Sequence, residues 1–274
     1  MKIGILGYGE IGKAIKQLYS NRPPNALFAK VHSVSIRDRK FFLDVNDEIK
    51  DCDYLHVCIP YSDDFVDQIC ECIEKETPKN VLIHSTVQVG TTRKIVEKSG
   101  LINICHAPVR GVHPNLYEGL ITFPMYIGFD ENQHGWTEAT EFEQDGFLNF
   151  IDKIYFLLSS IGVNIKVVNK FETSELAKIA STSYYGMCIA FHAEINSLCD
   201  EMGLSFEEVM TEWNKQYNDG YKRLEMNHVV RPVLNPPKGS IGGHCITPNA
   251  KLLKDFYYRT MQTRELPDFI LKYK

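Results

Sequence analysis

A few short stretches of this sequence bring together residue types that can do chemistry. Gly7-Tyr8-Gly9-Glu10-Ile11-Gly12 follows an apolar run, Lys2–Leu6, and opens an amphipathic segment reaching about Ser20. In that context a G-x-G-x-x-G is a dinucleotide cradle: Gly7 permits the tight turn, Gly9 admits a pyrophosphate to the backbone, and Gly12 lets helix and strand pack closely. Tyr8, Glu10 and Ile11 complete the loop. Lys178 lies one helical turn before Thr182, so the two share a face. An amine whose pKa is lowered by partial desolvation can manage the proton of an alcohol. A lone helical lysine is ordinarily solvated, so Lys178 needs support from elsewhere. Cys245 is the one cysteine of eight that sits in a glycine-rich loop instead of an apolar run. A thiolate there is open to a substrate carbonyl. His106 and His113 invite an acid–base reading, although packing or solvent roles are plainer for loop histidines.

The elements that must position these groups read as two differently built halves. In the first, strands predicted at Lys2–Leu6, Val31–Ile36, Tyr54–Ile59, Val81–Ile83, Leu101–Cys105, Pro124–Phe129 and Val163–Val168 alternate with helices, including ones near Asp63–Glu76 and Gly146–Ser160. That alternation predicts an α/β domain with a doubly wound parallel sheet of Rossmann type. Such sheets bind ligands beyond the carboxyl ends of their strands, where Pro60, His84-Ser85-Thr86 and the loop His106–Gly119 fall. After the second strand, Asp38 suits an adenosine ribose and favours NAD, whereas Arg37 or Arg39 suits the 2′-phosphate of NADP. The second half is predicted to be a smaller all-helical domain. Its base is one long helix over Asn169–Gly203, with apolar residues at Leu176, Ala180, Tyr184, Met187, Phe191, Ile195, Leu198 and Met202 and an Asn169/Glu172 capping box. At 1.5 Å per residue the helix spans roughly 45–50 Å, enough to serve both halves. A further helix from Ser205 loosens beyond Gly220. Val229–Cys245 is too rich in proline and glycine for a regular element, and a last helix carries Asn249 and Lys251. The expected domains are 1–168 for the cofactor and 169–274 for substrate binding and dimerisation through the long helix.

With 44% hydrophobic and 24% charged residues over 274, the composition is that of an ordinary globular protein. A net charge of −5 with no basic stripe argues against a nucleic-acid partner. No apolar run approaches the length of a membrane span, and no leader precedes Lys2, so no membrane role and a cytoplasmic location are expected. The other seven cysteines read as buried free thiols of a reducing compartment. Cys70 and Cys72 lack partners at zinc spacing, so no metal is expected.

The motifs GYGEIG (7–12), VCIP (57–60), HSTVQVGTT (84–92), ELAKIAS (175–181) and GSIGGHC (239–245), in this order, resemble the UDP-glucose/GDP-mannose dehydrogenase family. The resemblance implies a Rossmann domain, a long central helix, NAD, and oxidation of a primary alcohol to a carboxylate in two hydride transfers. It assigns the family's lysine to Lys178, its nucleophilic cysteine to Cys245 and the threonine of its STV motif to Thr86. The sequence departs from the family where Thr182 replaces an asparagine, Asn249 an aspartate and Val109 a glutamate, groups tied to water activation and oxyanion binding. Only Ile246–Lys274 follows Cys245, so the further domain that binds the nucleotide is expected to be missing. HAPVRG (106–111) and EGLITFPMYIG (118–128) also resemble the substrate loop of the β-hydroxyacid dehydrogenases, two-domain enzymes in which the lysine, again Lys178, is the acid–base group and no GGHC cysteine is used. The substituted site positions leave a third reading, a cofactor-binding protein that has lost turnover.

Overall fold

Ile3, Ile5 and Leu6 are fully buried in β1 (Lys2–Leu6), and the apolar face of α1 (Glu10–Ser20), with Ala14, Ile15 and Leu18, packs back on the strand. The same logic builds the rest of a computed structural model that describes residues 1–21, 33–37, 49–111, 114–130, 141–237 and 245–260, with backbone alone at 141–149 and 257–260. Asp38, Arg39, His113 and Gly242-Gly243-His244 lie outside the described residues.

After α1 come β2 (Ser33–Arg37), β3 (Tyr54–Val57), α2 (Phe65–Glu76), β4 (Val81–Ile83), α3 (Thr91–Ser99), β5 (Ile104–His106), α4 (Leu116–Thr122), β6 (Met125–Gly128), α5 (Glu141–Ser160) and β7 (Ile165–Val168). The strands form one seven-stranded sheet in the order β2-β1-β3-β4-β5-β6-β7. Alternation sends Leu82 to one face and Val81 and Ile83 to the other. One core gathers α1, α4 and α5, and the second gathers α2, α3 and Phe171. This is the expected Rossmann-type sheet with one correction: β5 and β6 meet antiparallel, at His106 and Gly128. The fifth strand also falls at Ile104–His106, later than Leu101–Cys105. The link from β5 to β6 holds only the seven-residue α4, short for the crossover a parallel pair needs. Since β2 and β3 flank β1 and all three run parallel, the order of connection reverses at the carboxyl end of β1, beside the glycine loop.

The long helix α6 covers Phe171–Met202. The chain divides into compact units Met1–Lys178 and Ile179–Lys274, so the first turns of α6 go with the sheet. Beyond α6, six residues of π-helix (Glu207–Glu212) run into α7 (Trp213–Arg223), a 3-10 turn (Asn227–Val229) follows, and α8 spans Ile246–Thr260. The described part of this unit is helical, but α7 continues past Gly220, correcting the looser segment expected there. The expected apolar stripe of α6 is not core: Tyr184, Phe191, Leu198 and Met202 are 63%, 50%, 49% and 62% exposed. Instead Ile179 and Ala190 are buried, and Ile246 and Ala250 of α8 cluster with Ala190, Met187 and Ile189. Cys70 and Cys188 are half-buried, not fully buried as expected; all eight cysteines are free thiols.

Candidate active site

The glycine loop has the shape its spacing predicts. Gly7 adopts φ +95°, and a Cβ there would meet Ile59 and the Cys58 backbone within 2.9 Å. A Cβ on Gly12 would lie 2.0 Å from the Gly7 carbonyl oxygen. A Cβ on Gly9 would meet nothing within 4 Å, and Gly9 caps α1 without a side-chain hydrogen bond. The backbone in front of α1 is thus bare and open, as an approaching pyrophosphate requires. Half-buried Tyr8 carries the Lys16 ammonium 5.5 Å from its ring centre, and Glu10 is exposed while Ile11 is half-buried. At the end of β2 the Arg37 carbonyl accepts from Gly7 N–H at 2.7 Å. The Arg37 guanidinium is itself buried against the Glu76 carboxylate at 2.5 Å, and so is held by the protein, not presented for a 2′-phosphate.

Parallel strands deliver the remaining candidates to the same sheet edge. Exposed Pro60 follows β3, and half-buried Thr86 follows β4. Their loops are joined by Ser85, whose hydroxyl donates to the Ile59 carbonyl at 2.6 Å. Beyond β5, the Val109 side chain is buried while its carbonyl accepts from Lys178 Nζ at 2.8 Å. This contact is the support that Lys178 needed. The first turns of α6 are anchored to bring it there. Buried Glu175 accepts from the Gly90 and Thr92 amides at 2.6 and 2.8 Å and from the Thr92 hydroxyl at 2.7 Å, capping α3. Burial raises the Glu175 pKa against these bonds, which lower it. Glu172, expected in a capping box, takes Arg93 Nε at 2.6 Å, and Arg93 also pairs with Asp130.

Three buried histidines lie under this edge. Tyr19 Oη is 2.7 Å from His56 Nε2, His56 Nδ1 is 2.7 Å from His84 Nε2, and His84 Nδ1 is 2.6 Å from the Ala107 carbonyl. Because a carbonyl only accepts, His84 must donate from Nδ1. His56 must then donate to His84, and the Tyr19 hydroxyl to His56. Burial lowers all three histidine pKa values, with His84 brought to about 4 and His106 to about 3. His106 is therefore neutral at pH 7 and is no loop residue: it ends β5, with Nδ1 2.7 Å from Ser174 Oγ and Nε2 3.2 Å from the Ser85 carbonyl. Sequence reading missed Ser174, Glu175 and the Tyr19–His56–His84 series, whose only signal was polar residues inside apolar runs.

In the second unit, half-buried Cys245 lies in the turn opening α8, and its carbonyl accepts from the N–H of buried Asn249 at 3.2 Å. Thr182 is half-buried on α6. Among the described residues no group of histidine, cysteine and carboxylate side chains is arranged to hold a metal, and no helix is long and apolar enough to cross a membrane.

Residues 172–266 match the model for the central domain of the UDP-glucose/GDP-mannose dehydrogenase family. The chain carries that family's central domain. A UDP-glucose 6-dehydrogenase of Campylobacter jejuni is 26% identical over 293 aligned residues, 94% of this chain and 68% of that protein. A UDP-N-acetyl-D-mannosamine dehydrogenase of Methanococcus maripaludis is 25% identical, and the match spans 61% of this chain but only 33% of the relative. In fold, the chain is similar over its whole length to a UDP-D-ManNAc dehydrogenase of Pyrococcus horikoshii, with TM-score 0.66, 19% identity and 68% of that chain covered. It is also similar to a 3-hydroxyisobutyrate dehydrogenase of Mycobacterium tuberculosis, with TM-score 0.64, 14% identity and 91% of that chain covered. Against the UDP-glucose/GDP-mannose dehydrogenase pattern, the departure at Val109 leaves a backbone carbonyl, not a carboxylate, beside Lys178.

Proposed function

We propose that this protein is an NAD-dependent dehydrogenase acting on the CH–OH group of a small molecule, a sugar derivative as in its named relatives. The observation that carries this reading is the meeting, on one sheet edge, of an open glycine cradle and the Lys178 amine held on the Val109 carbonyl. Bound NAD supplies the hydride acceptor. Gly7, Gly9 and Gly12 hold its pyrophosphate, Tyr8, Glu10, Ile11, Pro60 and Thr86 border it, and Asp38 takes the ribose, which selects NAD over NADP. Lys178 takes up the hydroxyl proton as the C–H bond breaks, and Thr86 and Thr182 orient the alcohol.

On the first family's pattern the aldehyde is then held by Cys245. The thiolate forms a C–S bond to the carbonyl carbon, the carbonyl oxygen takes a proton, and a second oxidation leaves a thioester that water cleaves to the acid, Asn249 standing beside the sulfur. The β-hydroxyacid dehydrogenase pattern stops at one oxidation, and the fold shared with 3-hydroxyisobutyrate dehydrogenase over 91% of that chain favours keeping it in view. Two measurements decide. Titration of NADH fluorescence alongside turnover on an alcohol panel tests the enzyme, and Lys178→Ala is expected to cut the rate by roughly 10² or more while the melting temperature stays within a few degrees. Binding without turnover on any substrate leaves a cofactor-binding protein. Counting NAD reduced per substrate tests Cys245: two in the wild type and one in Cys245→Ser is the expected outcome, and one in both, with the serine variant active, overturns the thiohemiacetal.

The second unit further supports a homodimer seated on α6, since Tyr184, Phe191 and Leu198 repeat every seventh residue and are all exposed.

A further inference from the structure

The Lys178 helix and the Thr86 loop are separate elements, yet a single buried ring touches both. His106 Nε2 reaches the Ser85 carbonyl at 3.2 Å, one residue before Thr86, and its Nδ1 reaches Ser174 Oγ at 2.7 Å, one helical turn before Lys178. A carbonyl can only accept, so Nε2 carries the ring proton and Nδ1 accepts from the serine hydroxyl. Residues four apart share a helix face, so Ser174 and Lys178 are successive stitches from α6 to the stretch His106–Val109. A third element confines the serine: a Cβ on Gly128, at the end of β6, would lie 2.2 Å from Ser174 Oγ and 3.0 Å from the Lys170 carbonyl. The serine is therefore walled in by β6 as well as bonded to β5.

We infer that His106 and Ser174 are positioning residues, a buried latch that fixes the Lys178 amine against Val109 and in register with Thr86. Neither touches substrate in this role; both act through Lys178. The inference rests on the proposed part of Lys178 in proton transfer, but its test does not. Only the neutral amine reacts with acetic anhydride, so the rate of Lys178 acetylation across pH, read by peptide mass spectrometry against exposed lysines of the same chain, reports the environment of Nζ whether or not the protein turns over. Ser174→Ala, which removes one oxygen, and His106→Leu are expected to change that rate roughly two- to tenfold, the factor of one hydrogen bond. His106→Asn, whose amide oxygen can accept from Ser174, is expected to stay near wild type. An unchanged Lys178 profile in Ser174→Ala, with only the melting temperature lowered, would overturn the latch and reduce the pair to core packing; this variant decides even where His106→Leu fails to fold. Full turnover in Lys178→Ala would instead overturn the catalytic reading while the acetylation result still judged the latch.

Discussion

At the scale of single residues, the glycine loop separates folding from binding. Gly12 is needed by the fold, since an added methyl would stand 2.0 Å from a backbone oxygen that cannot withdraw. Gly9 is needed by nothing inside the protein, since its methyl would meet open space. Gly12→Ala is therefore expected to destabilise by at least about 2 kcal/mol, read from chemical denaturation. Gly9→Val is expected to leave stability nearly unchanged and weaken NADH binding about tenfold or more, a loss of about 1.4 kcal/mol. Equal NADH affinity in Gly9→Val would move the cofactor away from this loop. Lys178 belongs with Gly9 in this respect: its anchoring contact is one hydrogen bond to a carbonyl, so its removal should be felt in rate before stability.

At the scale of elements, the buried histidines join α1, β3, β4 and β5 by hydrogen bonds through an otherwise apolar interior, and they do so only while neutral. Their pKa values in the folded chain lie below the ordinary 6.5, so between that value and about 4 the unfolded chain binds protons that the folded one refuses. Stability is therefore complete above pH 6.5 and falls with pH beneath it, by roughly 1 kcal/mol per pH unit for each histidine. Glu175, with its pKa raised, offsets part of this. Asp53 and Glu172, with lowered values, add their own loss only below their ordinary 3.8 and 4.5, so the span from 4.5 to 6.5 belongs to the histidines. Melting temperatures at pH 7.5, 6 and 5 should drop progressively. His84→Asn, which can still donate to Ala107, should start lower and fall less steeply; an equal slope would acquit the series. Apolar runs and helical periods made the elements themselves legible in the sequence, along with the cradle and Lys178. The histidine series was not legible, because partners 23 to 37 residues apart meet only when strands pair. The antiparallel β5–β6 pair escaped for a similar reason: an apolar run does not state its direction.

At the scale of the molecule, the long helix changes role along its length. Phe171, Ser174 and Glu175 are buried in the sheet unit, whereas in the helical unit the largest apolar side chains of α6 face outward. The sequence period could not reveal this, since 3.6-residue spacing marks an apolar stripe without saying what covers it. Tyr184, Phe191 and Leu198 fall at seven-residue intervals with Cys188, Ile195 and Met202 interleaved, a seam of the kind that pairs two helices side by side. A monomer with so continuous an exposed apolar row would be prone to associate, and a second copy offers the same row in return. The wild type should therefore elute as a dimer in size-exclusion chromatography with light scattering. Phe191→Glu combined with Leu198→Glu places like charges along the seam and should give a monomer whose NADH affinity is unchanged, because the glycine cradle belongs to the other unit. A wild type that stays monomeric at high concentration would sink the dimer and leave the row to another partner.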